Sequence, residues 1–488
     1  MDFDFIIIGS GLSGLITSLI LEKYGNVLIV TKRKPEDGST SLAQGGIAAV
    51  VSEKDSFISH AKDTMNAGCH LNNLKAVKFL VKDAPKAVDF LNHLGVPFDR
   101  KGSEYILGKE GAHSFPRIVH ASDFTGQNIE QTLLNRVINS KRIAIWENTF
   151  TVKLLMENDV CLGVQIIKDD NVINCLTGTV VLATGGLGQV YLWTTNPEVS
   201  TGDGIAMANQ AGAEIQDLEF IQFHPTALES DSRPLFLLSE AIRGEGAKLV
   251  NTQGKRFMEI VDPRMELAPR DIVAREVFRQ KKKGRVYLDI RHKGKQFLEK
   301  RFPNIFSELK KRGINMSLDL IPITPAAHYS SGGIKVDLYG RTNIPNLFAF
   351  GEVSCTGIHG ANRLASNSLP EAVVFPMHFE SIVDKLPKEI PHKTFPLPRI
   401  TGEITKLQNK TKISLKRLMW EKVGIERTLG GLKEAYNTIL NWEKEINTTE
   451  DFNPELIELK NMLVSSKLIS GAALKRKKSI GSHYITSE

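Results

Sequence analysis

The stretch Phe5-Ile-Ile-Ile-Gly9-Ser-Gly11-Leu-Ser-Gly14 constrains this chain more than any other. Four apolar residues run straight into glycines spaced G-x-G-x-x-G, and a helix-like run continues to about Leu21. A buried strand, a tight glycine turn and a helix N-terminus make a seat for a dinucleotide pyrophosphate. Gly9 permits the turn, Gly11 lets the backbone approach the phosphates, and Gly14 lets the helix pack close to the strand. In a nicotinamide-binding unit the next strand, Val27-Leu-Ile-Val30, would end in an acidic residue for the adenosine ribose. Thr31-Lys32-Arg33-Lys34 stand there instead, which counts against NAD(H) as the resident cofactor.

At 488 residues the chain has room for two or three domains, and 41% hydrophobic with 24% charged residues is a globular composition. Its four cysteines, Cys69, Cys161, Cys175 and Cys355, lack CxxC or zinc-finger spacing, so no disulfide framework, iron–sulfur cluster or other metal site is expected, and a reducing, cytoplasmic location is. Residues 5–21 are almost free of charge, but their flank is acidic (Asp2, Asp4) and glycines break the run, so neither a targeting segment nor a membrane span is expected. The net charge of +7 is spread along the chain, which argues for a solvated surface and against nucleic-acid binding.

After the second strand, Gly38-Ser-Thr-Ser-Leu-Ala-Gln-Gly-Gly-Ile47 reads as backbone packed against a flat ligand. Residues 56–95 have helical spacing, and strand-like pieces follow at 143–154, 161–168 and 171–183, the last ending in Ala183-Thr-Gly-Gly186. Asp203, at the start of the helix Ile205–Ala211, reads equally as an N-cap or as a ligand to a hydroxyl. From Glu219 to Tyr329 prolines punctuate, charge rises and strand runs thin out, which suggests an inserted α+β domain. The sheet pattern resumes at Gly332–Val336 and Leu347–Glu352, a linker runs from Pro387 to Pro398, and the remainder is helical. The expected fold is α/β: a Rossmann-like dinucleotide-binding domain (1–218 and 332–390), an inserted α+β capping domain (219–331) and a C-terminal helical bundle (400–488).

Ionisable groups concentrate in and just after the insert, around His224-Pro-Thr, Ser239-Glu240-Ala-Ile-Arg243, Pro269-Arg270-Asp271, His328-Tyr329 and His359-Gly-Ala-Asn362-Arg363. Glu240 and Arg243 are three apart on one helical face. Arg270 follows a proline that marks a first helical turn, where a cation meets the positive end of the helix dipole. Asp271, Glu240 or a bound carboxylate should offset it. Two histidines with at least one arginine would make a clamp for a small dianion.

These stretches, in this order, resemble the succinate dehydrogenase/fumarate reductase flavoprotein family, from Asp4 to about Leu369 and faintly through the helical tail. Within that family the likeness is to the branch that oxidises L-aspartate. The resemblance implies FAD, with Ser10, Gly11, Leu12 and Ser13 at the pyrophosphate and Lys32 at the adenosine end. Ser39, Thr40, Ser41, Leu42, Ala43, Gln44, Gly45 and Gly46 would wrap the flavin, and Asp203, Glu352, Ser368 and Leu369 match further FAD contacts. His224, Ser239, His328 and Arg363 match the positions that hold substrate carboxylates, Ser239 standing where relatives usually carry Thr. Arg270 matches the proton-transfer arginine, with Glu240 and Arg243 as its relay.

Two positions distinguish the branch. Ser39 replaces the histidine that bonds covalently to FAD in succinate dehydrogenases, which implies non-covalent FAD. Glu110 matches the acid assigned to the substrate ammonium; beside plain succinate it would be an uncompensated negative charge. The implied reaction passes hydride from the Cα of L-aspartate to flavin N5 and gives iminoaspartate, with oxygen or fumarate as acceptor. Quinolinate synthase would take the unstable product on towards NAD. The alternatives are a soluble fumarate reductase, or a non-catalytic electron-transfer flavoprotein docking through the basic run Lys475–Lys478.

Overall fold

A computed structural model of the chain describes residues 3–387, 389, 392–449 and 451–487. Asp2, residues 388, 390 and 391 of the expected linker, and the expected domain limits 1, 390 and 488 lie outside the described residues.

In chain order, β1 (Phe5–Ile8) leads through the glycine turn into α1 (Leu12–Leu21), and β2 (Val27–Val30) follows. Then come α2 (Phe57–Ala67), α3 (Leu74–Leu94), α4 (Thr125–Ile138) and β3 (Ile143–Trp146). An antiparallel three-stranded sheet, β4 (Phe150–Glu157), β5 (Val160–Lys168) and β6 (Asn171–Leu176), precedes β7 (Val180–Leu182) and α5 (Asp203–Gln210).

The next segment holds β8 (Ile221–Leu228), α6 (Glu240–Gly244), β9 (Lys248–Asn251), α7 (Arg270–Lys281), β10 (Val286–Asp289), α8 (Lys295–Arg301), α9 (Pro303–Lys311) and β11 (Ile321–Ser330). The chain then returns with β12 (Leu347–Ala349) and α10 (Ser368–Phe379), and closes with α11 (Lys406–Lys422), α12 (Leu429–Asn447) and α13 (Pro454–Lys475).

The central sheet is parallel, in the order β12–β7–β1–β2–β3, with β1 in the middle. Strand alternation divides its side chains between two cores. Phe5, Ile7, Val27 and Ile29 pack with α1, α3 and α10, while Ile6, Ile8, Leu28 and Val30 share a core with Leu415, Met419, Leu432 and Leu459 of the C-terminal helices. The bundle is thus built into one face of the dinucleotide fold. Gly9 has φ +107°, and a Cβ there would sit 2.2 Å from the Ala183 carbonyl, so the turn out of β1 admits only glycine.

The expectation that strand runs thin out after Glu219 is corrected. β8, β11, β10 and β9 form an antiparallel sheet with its own core, and β11 spans ten residues. Prolines obscured it: Pro225 lies where the register shifts between His224 and Ala227, a bulge at which the missing N–H costs no ladder bond. Among the described residues, no helix is long and apolar enough to cross a membrane, and no His/Cys/Asp/Glu group could hold a metal ion.

Candidate active site

A cavity of about 580 Å³ runs from the turn after β1 to the face of the β8–β11 sheet. Every residue expected at the cofactor or the substrate lines it, as do Arg270 and Glu240; Arg243 stands behind Glu240.

The cofactor end starts at α1, whose N-cap, Gly11, offers no side-chain cap and whose first turn carries no acid. The positive end of the helix is left open to an anion. Thr40 Oγ1 accepts from the Leu12 amide at 3.0 Å and fixes the loop against this turn. The Ser10 hydroxyl donates to the Pro35 carbonyl at 2.9 Å, which leaves its backbone for a ligand. Thr184 Oγ1, on the cavity wall, is buried with no protein partner. These features fit an elongated dinucleotide such as FAD, with Lys32 just past the end of β2 forming part of the wall.

Asp203 is not the N-cap of α5. Gly202, at φ +82°, is, and Asp203 is the first helical residue. Its carboxylate accepts from Lys32 and Thr201 on one oxygen and from Asn461 on the other. Gln44 is a strut as well as a wall: Nε2 donates to the Leu237 carbonyl at 2.8 Å and Oε1 accepts from the Ser239 amide at 3.0 Å, tying the flavin loop to the capping segment. Burial pushes Glu352 up to about 7.

At the other end His224 and His328 come from the neighbouring strands β8 and β11, their ring centroids 5.1 Å apart. The Thr226 amide donates to His224 Nδ1 at 3.2 Å, so the ring proton sits on Nε2, which is buried without a partner. Thr195 Oγ1 lies 2.8 Å from His328 Nδ1. Burial, and then Arg270, lower both imidazoles well below their ordinary range, so both are neutral near pH 7. Ser239 accepts from the Ala241 amide and keeps its O–H to donate.

Arg363 donates to Ser368 at 2.8 Å and stacks over the Tyr329 ring at 4.1 Å, with its Nε buried and unpartnered. Burial and then Arg270 push it down to about 10. Of the anions proposed to offset Arg270, the structure selects Glu240: Arg270 Nε donates to its Oε2 at 2.5 Å, while Asp271 pairs with Arg275. Arg243 Nη2 lies 3.1 Å from the same oxygen as an ion pair without hydrogen-bond alignment, and its Nη1 donates to the Glu266 carbonyl at 2.6 Å. Glu266 in turn holds Arg256, which reaches the surface. Glu240 pairs with Arg243 and Arg270, and Arg363 has no ion pair among the described residues, a local excess of positive charge that suits a dianion.

Glu110 is buried on the same cavity, its Oε2 accepting from Ser366 at 2.7 Å. Burial, and then the Glu240 charge, raise its pKa. No cation pairs with it among the described residues, so it is a carboxyl without a counter-ion in a cationic site.

Sequence reasoning passed over Gln222. Its Oε1 accepts from Arg270 at 2.9 Å and from Arg363 at 3.3 Å, and its Nε2 donates to Asn362 and to the Arg363 carbonyl. The available signal was strand period: Gln222, His224 and Thr226 alternate along β8 and all serve the site.

The FAD binding domain family model matches residues 4–369, and the fumarate reductase flavoprotein C-term model matches residues 412–486. The chain is 42% identical to the L-aspartate oxidase of Yersinia pestis, over 99% of this chain and 95% of that one. It is 39% identical to the chloroplastic L-aspartate oxidase of Arabidopsis thaliana, over 99% and 81%. The chain belongs to the L-aspartate oxidase family.

Among solved structures, E. coli quinol fumarate reductase FrdA superimposes with a TM-score of 0.91 at 29% identity, covering 100% of this chain and 92% of that one. Mycobacterium smegmatis Sdh1 does so with a TM-score of 0.82 at 30% identity, covering 99% and 89%. As a member of an FAD-binding family with this architecture, the chain is an α/β flavoprotein with a C-terminal helical domain.

Proposed function

We propose that this chain oxidises L-aspartate to iminoaspartate with non-covalent FAD, the first step towards NAD by way of quinolinate. The observation that carries this reading is Glu110, a buried carboxyl without a counter-ion on the wall of a cationic dicarboxylate clamp. A dicarboxylate bearing an ammonium group at one carbon meets both demands. Succinate meets only one.

FAD, when bound, takes up the hydride from the substrate carbon. The chain's own residues do the rest. Arg363, the Nε2–H of His224 and the His328 ring bind the carboxylates, with the Ser239 hydroxyl donating a hydrogen bond. Glu110 orients the ammonium by pairing with it. Arg270, backed by Glu240 and Arg243, holds the mobile proton and delivers it to carbon when fumarate serves as acceptor. Gln222 keeps Arg270 and Arg363 in one frame. Residues 219–331 act as the cap that excludes water, docked through Gln44 on Leu237 and Ser239, and 1–218 with 332–390 carry the cofactor. Quinolinate synthase would receive the labile imine, and a cytoplasmic location fits the free cysteines.

The test is anaerobic addition of L-aspartate or succinate to the yellow holoenzyme. Bleaching by aspartate is expected. Bleaching by succinate but not by aspartate would replace this reading with a soluble fumarate reductase, the second reading that the likeness to FrdA favours.

A further inference from the structure

Lys32 lies two residues past the end of β2 (Val27–Val30), the place at which a dinucleotide fold meets the adenosine ribose. Its ammonium has three N–H donors, and each is engaged at 2.7 Å: with Thr201 Oγ1, Asp203 Oδ2 and Glu458 Oε2. Thr201 and Asp203 flank the start of α5. Glu458 belongs to α13, and Lys412 of α11 holds its other oxygen at 2.7 Å.

One turn further along α13, Asn461 donates to Asp203 Oδ1 at 2.9 Å, and the next turn brings the Ser465 hydroxyl to the Gly202 carbonyl at 3.1 Å. Spacings of three and four put Glu458, Asn461 and Ser465 on one face of the helix. Lys32 and Asp203 line the cavity, whereas Glu458 and Asn461 stand immediately behind them.

We propose that FAD binding and docking of the C-terminal bundle are linked through this face of α13, with Glu458 and Asn461 acting as positioning residues that hold Lys32 and Asp203 at the adenosine end of the cofactor site. A Lys32 with every donor used by protein is a fixed wall and a fixed charge. Without the Glu458 carboxylate it keeps one counter-ion in a buried setting, and the pair Lys32–Asp203 is free to reorganise. Linkage is reciprocal, so whatever loosens the bundle at this face loosens FAD, and bound FAD tightens the bundle. The inference concerns the cofactor and stands whichever dicarboxylate the site takes.

The test uses full-length holoenzyme. FAD release is followed as flavin fluorescence recovered on dilution, and the melting temperature is followed at rising added FAD. Glu458→Gln is expected to raise the FAD dissociation constant about tenfold, displacing to higher FAD the concentrations that raise the melting temperature. Glu458→Asp should recover part of the loss. Lys412→Met, which leaves the Lys32–Glu458 contact in place, should weaken FAD in the same direction by roughly two- to threefold.

Lys467→Met is the control, because the Lys467–Glu443 pair ties α13 to α12 with side-chain exposures of 26% and 18%, against 28% and 17% for Lys412–Glu458. It should leave FAD affinity unchanged whatever it does to melting. Wild-type FAD release in Glu458→Gln and Lys412→Met would overturn the proposal, and so would equal loosening by Lys467→Met, since bundle stability in general would then govern FAD. Should Glu458→Gln not fold, Lys412→Met and Asn461→Ser decide the matter by the same readout.

Discussion

Glu240 and Glu110 are two buried carboxyl groups joined through one backbone amide, the Gly111 N–H donating to Glu240 Oε1 at 2.8 Å. Burial works to raise Glu240, but Arg243 and Arg270 outweigh it and hold the group well below the ordinary carboxylate range. Burial and then the Glu240 charge push Glu110 the other way. One carboxyl is a permanent anion for the arginines, and in the function proposed the other would pair with a cation that arrives with the substrate.

Because Glu110 must ionise to pair with an ammonium and its pKa is raised, kcat/KM for aspartate should climb as pH rises through that raised value. Glu110→Gln should remove this limb and cut the preference for aspartate over succinate by roughly 10²-fold. The check is kcat/KM for both substrates across pH 5–9; an unchanged preference would end the amine role.

Arg270→Leu removes the proton-holding group and leaves the turn after β1 intact. Fumarate-dependent turnover should fall by about 10²–10⁴-fold while the visible flavin spectrum persists. Intact fumarate reduction by a flavin-loaded variant would refute the assignment.

Gln222→Leu deprives Arg270 and Arg363 of the acceptor they share. Loss of a buried acceptor facing two charged donors should destabilise the fold by about 1–3 kcal/mol and lower kcat/KM for every dicarboxylate alike. Steady-state kinetics with aspartate and fumarate, alongside thermal melting, would detect both effects.

Ser39 offers a hydroxyl in place of an imidazole for a flavin bond, and that hydroxyl lies 3.5 Å from the one of Ser200. Acid precipitation of the yellow protein should therefore leave all FAD in the supernatant. Flavin fluorescence on the precipitated peptide would show a covalent link.

Glu130, on α4, is raised to about 8 by burial and then by Glu36 and Asp37. Between an unfolded value of about 4.3 and that raised value, the folded chain keeps a proton that the unfolded chain has lost. Stability contributed by this group is full below the window and is lost as pH rises through it. Glu130→Gln should match wild type near pH 4.5 and melt a few degrees higher at pH 8, measured by calorimetry at the two pH values.

The turn at Gly9 and the helix after it were legible because their demands are local: positive φ and close packing leave glycine as the only choice. The antiparallel sheet of the insert was not, since Pro225, Pro322 and Pro325 break the strand pattern and the partners β8 and β11 lie about a hundred residues apart in the chain. Asp203 was ambiguous until Gly202 took the cap position. Gln222 and the Lys32–Glu458 contact were invisible for a different reason. Each depends on which distant side chain the fold delivers, and no spacing within one segment encodes that. The five clusters of ionisable residues were legible as a concentration of charge and their expected roles came from the family resemblance, whereas the contacts between them depend on the fold.

The middle position of β1 bears on how the protein is made. β1 leaves the ribosome ahead of the rest of its sheet: its neighbour β7 follows some 170 residues later and β12, which completes the sheet, roughly 340 residues later, so at about 5–20 residues per second this apolar strand waits on the order of tens of seconds for its place. Val27–Val30 alone is available early, as a two-strand parallel fragment without its flanking core. Nascent chains of this protein should therefore engage holding chaperones through residues 5–30, and FAD should be acquired only after β12 and α13 have been made.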